Sequence, residues 1–378
     1  MQSKLANTGT SIFTIMSKMA ADYNAINLSQ GYPGFDISHE LVDLVVHYMK
    51  KGDNQYAPMP GLPQLREQIS NKVNQTFGCN TNADDHITVT SGATEAIFAT
   101  ISALVHPGDE VIYFEPAYDS YSPTVLLNQG VPVPVKLNFP DFSIPWDEVA
   151  SKITNKTKMI IVNTPQNPSG AVLKKEDVEA LVELVRNKNI FVLSDEVYEH
   201  IIFDGAKHHS VLANDDLKDK CIAVFSFGKT FHATGWKMGY SVASKAITEE
   251  IKKTHQFVVF SVNTPIQLAM VDFLKKPNHY LSLPGFYQNK RDLFLELMRN
   301  SRFEPLHSSG TYFQTFSYSK ISNEPDVAMA EKFTKEFGVA SIPFSVFYGD
   351  QTDNKLLRFC FAKEEETLKK AAEILCKI

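Results

Sequence analysis

The sequence predicts an α/β protein with a large domain, in which helices flank a mostly parallel sheet, and a smaller α+β domain. Short runs rich in β-branched and apolar residues alternate with helical patterns, as expected when helices connect parallel strands. Between two of these runs, apolar residues recur at helical spacing from Val178 to Val185. The five strand-like runs are 87–90, 111–114, 159–162, 190–193 and 222–225.

The length of 378 residues exceeds what one simple core usually holds, so two domains are predicted. Residues 38–280 contain all five strand-like runs and form the predicted large domain. Residues 1–37 together with 281–378 form the predicted small domain and an N-terminal arm. A helical pattern over 286–300 would join the two domains.

Charge and composition exclude several classes of protein. The net charge of -6 provides no basic surface for nucleic acid or for an anionic membrane, and no apolar run is long enough to cross a bilayer. The four cysteines lie far apart, with the spacing of neither a zinc site nor a disulfide framework. These properties predict a cytoplasmic protein with no metal site and no nucleic-acid or membrane partner.

A chemically distinctive segment follows each of the five predicted strands. In open α/β sheets, ligands bind beyond the carboxyl ends of the strands, where such segments converge. One unusual turn is easily explained by packing, but five in one chain favour a shared binding site. The segments are 91–95, 115–118, 163–170, 194–198 and 228–229.

Three of these segments carry a resemblance to a known family. They read NTPQNPSG (163–170), SDEVY (194–198) and SFGKTFHATGWK (226–237). With these motifs in this order, the chain resembles the class I/II aminotransferases, which are pyridoxal-phosphate enzymes of fold type I. The resemblance extends from about residue 13 to residue 361 and implies pyridoxal 5′-phosphate as the cofactor.

Within the family, the chain most resembles the methionine and kynurenine aminotransferases. The resemblance implies ping-pong transfer of an amino group from a neutral, bulky amino acid to a 2-oxo acid by a homodimer. Methionine is the first choice of donor, followed by aromatic amino acids and glutamine. The segments that carry this narrower likeness are NLSQG (27–31), NQYAP (54–58), TGWK (234–237) and ASIP (340–343).

Other functions stay open at this point. A kynurenine or glutamine aminotransferase would differ only in the lining of the pocket, and a cysteine-conjugate β-lyase would use the same residues. An aminotransferase-like ligand-sensing domain is the non-enzymatic alternative. The lysine at position 229 favours catalysis over sensing.

The resemblance assigns predicted catalytic roles to Lys229, Asp195 and Tyr198, and a cofactor-binding role to Asn167. The amine of Lys229 would bind the cofactor's aldehyde and later move a proton at the substrate's α-carbon. Asp195 would pair with the protonated ring nitrogen, although an aspartate here could instead cap a following helix. Tyr198 and Asn167 would donate hydrogen bonds to the cofactor's phenolic oxygen; a core tyrosine and a turn asparagine are the alternatives.

The predicted phosphate site combines a helix start with polar side chains. Ala93 and Thr94 open a helix, whose free N–H groups and positive dipole end attract an anion. Ser226 and Lys237 would add a hydroxyl and a charge. Many relatives carry arginine in place of Lys237. The bidentate contact that an arginine makes with the phosphate is therefore replaced here by the single ammonium of a lysine.

Two tyrosines match aromatic positions of the family. Tyr118 would stack on the cofactor ring, and Tyr56 would reach the phosphate bound by the partner subunit. A core or interface role is the alternative for both.

The resemblance also implies how the substrate is held. The guanidinium of Arg358 would grip the α-carboxylate, unless a structural aspartate pairs with it. Gly31 would offer a backbone N–H to the same carboxylate, and Asn167 would contact the substrate as well as the cofactor. The predicted lining of the side-chain pocket comprises Phe13, Tyr32, Phe344 and the Phe260 of a partner subunit.

Overall fold

The computed structural model describes residues 3–6 and 8–378. Met1, Gln2 and Asn7, which fall within the predicted N-terminal arm, lie outside the described residues. The predicted α/β class is confirmed, with a mostly parallel central sheet between helices.

Helices make up much of the described chain. No described helix combines the length and the apolar character needed to cross a bilayer. Short 3-10 helices cover Val211–Ala213, Asp215–Leu217, Thr234–Trp236 and Ser345–Phe347. The α-helices are α1 (Ile12–Asp22), α2 (His39–Lys51), α3 (Pro63–Phe77), α4 (Ala83–His86), α5 (Gly92–Leu104), α6 (Tyr121–Leu127), α7 (Trp146–Lys152), α8 (Lys175–Val185), α9 (Phe227–Thr230), α10 (Lys245–Val258), α11 (Thr264–Leu274), α12 (Asn278–Leu281), α13 (Leu283–Met298), α14 (Asp326–Lys335) and α15 (Glu365–Leu375).

The strands form a seven-stranded sheet, a four-stranded sheet and a two-stranded pair. The strands are β1 (Ile26–Asn27), β2 (Ile87–Thr90), β3 (Glu110–Glu115), β4 (Val131–Lys136), β5 (Thr157–Asn163), β6 (Phe191–Asp195), β7 (Cys221–Ser226), β8 (Gly239–Ala243), β9 (Glu304–Pro305), β10 (Phe313–Ser317), β11 (Val339–Ala340), β12 (Ile342–Pro343) and β13 (Leu356–Cys360).

The seven-stranded sheet contains all five predicted strands. Its order is β2-β8-β7-β6-β5-β3-β4, and the pairs from β7 to β4 are parallel. Strand β8 runs antiparallel to both of its neighbours. The carboxyl ends of β3, β5, β6 and β7 therefore meet at one edge of the sheet, where the motif-bearing segments begin.

Two strands of this sheet carry no strong sequence signal. Strand β4 contains Pro132 and Pro134, which have no N–H to donate to a neighbouring strand. The two prolines are tolerated because β4 is an edge strand paired only with β3. Strand β8 reads Gly-Tyr-Ser-Val-Ala, which lacks a run of β-branched residues, yet all of its residues are buried. Position in the sheet outweighs local propensity for both strands.

The helices predicted over 178–185 and 286–300 are both present, as α8 (Lys175–Val185) and α13 (Leu283–Met298), with shifted boundaries. Helix α8 turns Val178 and Val185 into the core, as its apolar spacing predicts. Helix α13 begins at Leu283 rather than 286, because Pro284 occupies its first turn. A proline there loses no helical hydrogen bond, so it starts this helix instead of ending it.

The small four-stranded sheet is antiparallel and is built from residues 304–360. The N-terminal segment joins this region because β1 pairs in parallel with β11. This pairing associates residues near both ends of the chain. The domain boundaries at 37 and 280 stay a prediction.

Candidate active site

A cavity of about 300 Å³ lies at the carboxyl edge of the large sheet. Segments that follow β2, β3, β5, β6 and β7 all contribute to its wall, as does β13 of the small sheet. Most of the predicted site residues line it. They are Phe13, Gly31, Tyr32, Ala93, Thr94, Tyr118, Asn167, Asp195, Tyr198, Ser226, Lys229, Lys237 and Arg358.

Lys229 projects from α9, the single helical turn that follows β7. Its Nζ donates to the Gly31 carbonyl oxygen over 2.7 Å and to the Tyr312 hydroxyl over 3.0 Å. Both partners are neutral, and burial lowers the pKa of Lys229 from 10.5 to about 8. An amine with this pKa is partly unprotonated near neutral pH, so it can serve as a nucleophile or as a base.

Asp195 is the last residue of β6 and is only 4% exposed. The Tyr121 hydroxyl donates to its Oδ2 over 2.7 Å, and burial raises the pKa of Asp195 from 3.8 to about 6. The next regular element is the 3-10 helix Val211–Ala213, so Asp195 does not cap a helix. A buried carboxylate with one neutral side-chain donor is suited to pair with a cation.

Arg358 lies on β13, an inner strand of the small sheet, and is 1% exposed. Its Nη1 donates to Asn167 Oδ1 over 2.6 Å and its Nη2 to the Ser29 carbonyl over 3.2 Å. Its Cζ lies 3.8 Å from the Phe313 ring centroid. Both hydrogen-bond partners are neutral, and the structural aspartate considered as an alternative is not among them. The guanidinium therefore retains charge for an anion, although burial lowers its pKa to about 10.

The start of α5 and one lysine form a positive corner of the cavity. The N–H groups of Ala93 and Thr94 lie in the first helical turn, where they have no intrahelical acceptor. Gly92 has a φ of +75°, and a Cβ at this position would lie 3.4 Å from the Nζ of Lys237. The ammonium of Lys237 thus lies beside the helix start, an arrangement that attracts an anion. Ser226 contributes a hydroxyl, which also accepts from the backbone N–H of Lys229.

A chain of hydrogen bonds connects the two ends of the cavity. Asn167 accepts a hydrogen bond from Arg358 through its Oδ1, and it donates its backbone N–H to Asn163 Oδ1 over 2.9 Å. Asn163 Nδ2 in turn donates to the carbonyl oxygen of Asp195 over 2.9 Å. These contacts fix the guanidinium of Arg358 relative to the end of β6.

Three predicted residues do not line the cavity in the described structure. Phe344 is 1% exposed, and its ring packs in the core against Phe142 and Phe347. Phe347, rather than Phe344, reaches the guanidinium, with its ring centroid 5.3 Å from Arg358 Cζ. Tyr56 and Phe260 lie on the surface, 83% and 46% exposed, with their ring centroids 5.4 Å apart.

Several residues that line the cavity or contact its lining carry weak signals in the sequence. Tyr121 follows Tyr118 by three residues, and Asn163 is the first residue of the NTPQNPSG motif, so local spacing indicates both. Tyr312 and Phe313 have no such local signal. Tyr312 is 83 positions from Lys229, and the two residues appear in the sequence only as adjacent aromatic residues. Their contact with the site arises from the packing of the small sheet against the large one.

Comparison with known proteins connects this geometry to a family. A model of the family "Aminotransferase class I and II" matches residues 23–375. The chain is 50% identical to a methionine aminotransferase of Escherichia coli, over 99% of this chain and 97% of the relative. It is 36% identical to a kynurenine–oxoglutarate transaminase of Dictyostelium discoideum, over 98% of this chain and 94% of the relative.

The fold is similarly close to a solved structure. An Escherichia coli crystal structure, described as identifying a methionine aminotransferase function, superposes with a TM-score of 0.98 at 49% identity. The match covers 100% of this chain and 99% of the other. The likeness therefore includes both sheets and the cavity between them.

Proposed function

The chain belongs to the class I and II aminotransferases, and from this premise we propose that it transfers the amino group of methionine to a 2-oxo acid. The observation that carries the proposal is Arg358, a buried guanidinium with neutral partners in the same cavity as the Lys229 amine. An α-amino acid has the complementary groups, a carboxylate and an amine on one carbon. The 50% identity to the Escherichia coli methionine aminotransferase supports methionine as donor.

The family depends on pyridoxal 5′-phosphate, and the cavity residues fit this cofactor. Lys237 and the start of α5 suit its phosphate, and the buried Asp195 carboxylate suits a protonated ring nitrogen. Lys229 would hold its aldehyde, and Tyr118 would cover its ring. When bound, the cofactor supplies that aldehyde and a ring that withdraws electrons from the substrate's α-carbon.

Arg358 would bind and orient the substrate. Its planar guanidinium suits two parallel hydrogen bonds to the α-carboxylate, and stacking on Phe313 fixes the plane. Gly31, whose carbonyl oxygen accepts a hydrogen bond from Lys229 Nζ, would donate its N–H to the same carboxylate. Holding the carboxylate in this way directs the α-carbon and its hydrogen toward the lysine amine.

Lys229 would move the proton at the α-carbon. With a pKa of about 8, roughly a tenth of a free amine is neutral near pH 7, which is enough to accept a proton and later return it. Asp195 would keep a positive charge on the ring nitrogen, while Tyr198 and Asn167 would donate to the phenolic oxygen. One cavity would then serve the amino donor and the 2-oxo acceptor in turn, as a ping-pong cycle requires.

The first prediction concerns substrate charge. Arg358 is the one arginine that lines the described cavity, so a distal carboxylate of aspartate would have no second guanidinium. Leaving a buried polar group unpaired costs several kcal/mol, whereas burying a thioether gains roughly 1.5–3 kcal/mol. We expect the kcat/KM for methionine to exceed that for aspartate by at least about 10²-fold, because each 1.4 kcal/mol is tenfold. Half-reaction spectra of purified enzyme with each amino acid measure this ratio.

A matched pair of substrates isolates the charge from size and shape. Glutamine and glutamate have nearly the same volume, so glutamine should react much faster if the lack of a second guanidinium decides the choice. Equal kcat/KM values for methionine and aspartate, or a preference for glutamate over glutamine, would contradict the proposed pocket.

Kynurenine is a second candidate donor. The observation in its favour is the 36% identity to the Dictyostelium discoideum kynurenine–oxoglutarate transaminase. The rings of Phe13 and Phe313 beside Arg358 would also accommodate an aromatic donor. Adding kynurenine to the same half-reaction series decides between the two: a larger kcat/KM for kynurenine than for methionine would make it the main substrate.

We also propose that the active form is a homodimer. Tyr56 and Phe260 form an exposed aromatic pair, and the nearby Phe257 is 85% exposed. Aromatic side chains in such a patch are typical of protein interfaces. In the dimer, each subunit would lend Tyr56 and Phe260 to its partner's site, in line with the family resemblance.

The dimer predicts a defined response to a charge at the patch. Phe257→Asp would bury a carboxylate in the interface, so we expect weaker association and looser retention of the cofactor. Sedimentation equilibrium gives the association state, and cofactor absorbance after dialysis gives its retention. Phe139→Asp is the matched control, since Phe139 is 52% exposed in the turn after β4, away from Phe257 on α10 in the chain, and should leave both measurements unchanged. A fully active wild-type monomer would refute the proposal.

A further inference from the structure

The hydroxyl of Tyr312 lies between two groups of the candidate active site. It donates to the Gly31 carbonyl over 2.6 Å and accepts from Lys229 Nζ, which lies 3.0 Å away. Lys229 Nζ also donates to the same Gly31 carbonyl over 2.7 Å. The three groups close a ring of hydrogen bonds, with the lysine amine at one corner.

The backbone around Tyr312 is fixed by segments that follow strands of both sheets, β6 and β13. The N–H of Thr311 donates to Ile201 over 2.9 Å, and the N–H of Phe361 donates to the Tyr312 carbonyl over 3.1 Å. A Cβ at Gly310 would lie 2.7 Å from the Cβ of Pro165, so only glycine allows this close approach. The tyrosine hydroxyl is therefore held at a defined place rather than on a mobile loop.

The chemistry of this contact suits an amine that must be released and recaptured. Tyr312 is 0% exposed, and burial with neighbouring tyrosines raises its pKa well above 10.0, so its hydroxyl stays neutral. A neutral oxygen holds the amine by hydrogen bonds without the strong preference for ammonium that a carboxylate would impose. The amine is thus positioned and still able to act as a base.

We propose that Tyr312 is a positioning residue, whose hydroxyl and the Gly31 carbonyl together hold the Lys229 amine whenever that amine is not bonded to the cofactor. The inference rests on the proposed function, because it requires that Lys229 is freed during turnover. Without this contact, a lysine side chain with four rotatable bonds would sample positions from which it cannot reach the α-carbon.

Tyr312→Phe tests the proposal because it removes one oxygen and keeps the ring. Tyr287→Phe is the matched control: Tyr287 is also 0% exposed, its ring centroid lies 5.8 Å from that of Tyr312, and its hydroxyl has no hydrogen-bond partner in the described structure. The full-length protein is loaded with pyridoxamine phosphate. This form of the cofactor carries an amine in place of the aldehyde, so it cannot form a covalent bond with the Lys229 amine. Titration of ε-¹³C-labelled lysine by NMR then follows Lys229, whose resonance is identified by its loss in Lys229→Ala.

We expect Tyr312→Phe to raise the acid dissociation constant of the Lys229 ammonium roughly tenfold, because it loses a hydrogen bond made to the charged form. In the holoenzyme, kcat for the methionine half-reaction should fall roughly tenfold with KM unchanged, because proton transfer and not binding is impaired. Tyr287→Phe should leave both the titration and kcat at wild-type values.

An unchanged Lys229 titration in Tyr312→Phe, or the same change in Tyr287→Phe, would overturn the positioning role. Failure of the proposed function has a different signature: wild-type protein that neither binds pyridoxamine phosphate nor reacts with methionine. In that case, the same titration in the cofactor-free protein still tests the contact between Tyr312 and Lys229.

Discussion

Lys229→Ala should abolish the covalent attachment of the cofactor and almost all transamination. The purified variant should lose the yellow absorbance of the lysine-bound cofactor, and borohydride should no longer fix the cofactor to the protein. Loss of proton transfer alone should slow turnover roughly 10²–10⁴-fold, and loss of covalent capture adds to this. The fold should persist, because the partners of this amine are neutral and no buried carboxylate is left unpaired.

Lys237→Ala is the matched control, since both lysines line the same cavity. Removing Lys237 takes away one charged contact with a phosphate, worth roughly 1.5–3 kcal/mol, so cofactor should dissociate more easily while the covalent absorbance remains in excess cofactor. The two variants thus separate covalent capture from phosphate binding. Borohydride fixation of the cofactor at another lysine in Lys229→Ala would show that Lys229 is assigned wrongly.

The sequence predicts the fold well where pattern and position agree. Strands such as 159–162 and 222–225 are buried on both faces and read as continuous apolar runs, so they are visible without any tertiary information. Strand β4 is not visible, because its prolines are tolerated only by its place at the sheet edge. The start of α13 at Leu283 is not visible either, because a proline is tolerated in the first turn of a helix but not in its interior.

The same distinction applies to the site. Residues at or just beyond strand ends, such as Asp195 and Lys229, could be predicted because parallel strands bring their ends together. Tyr312 reaches Lys229 from a segment that precedes a strand of the other sheet, and no spacing rule relates the two. Phe344 has the residue type of a pocket wall, but packing against Phe142 places it in the core and leaves Phe347 near Arg358.

The second large effect is expected from Asp195→Asn. An amide cannot stabilise the protonated ring nitrogen of the cofactor, and breaking a buried charge pair typically costs about 3–5 kcal/mol. We therefore expect proton abstraction from methionine to slow by roughly 10²–10⁴-fold, since each 1.4 kcal/mol is tenfold. Stopped-flow absorbance of the half-reaction measures this rate. Near-normal turnover would remove Asp195 from the proposed role.

The matched control for this variant keeps the carboxylate and removes its donor. Tyr121→Phe deletes the hydroxyl that bonds Asp195 Oδ2, a contact that lowers the pKa of this carboxyl. The pKa of Asp195 should therefore rise further in the cofactor-free protein, while a cation on the ring can still pair with the carboxylate. Proton abstraction from methionine by Tyr121→Phe should slow by no more than about tenfold, in keeping with the loss of one hydrogen bond.

Asp195→Asn should lower activity but raise the free energy of unfolding of the cofactor-free protein near neutral pH. The folded pKa of about 6 lies above the ordinary 3.8, so the folded state holds this proton more tightly than the unfolded state. The wild-type free energy of unfolding should accordingly lose up to roughly 3 kcal/mol from this group as pH rises from about 4 to about 6, a loss that the neutral amide avoids. Urea denaturation near pH 7 should therefore find cofactor-free Asp195→Asn more stable than wild type, and the difference should vanish near pH 4. If cofactor-free Asp195→Asn is instead less stable than wild type near pH 7, the carboxylate is not the unpaired buried charge that a cationic ring would neutralise.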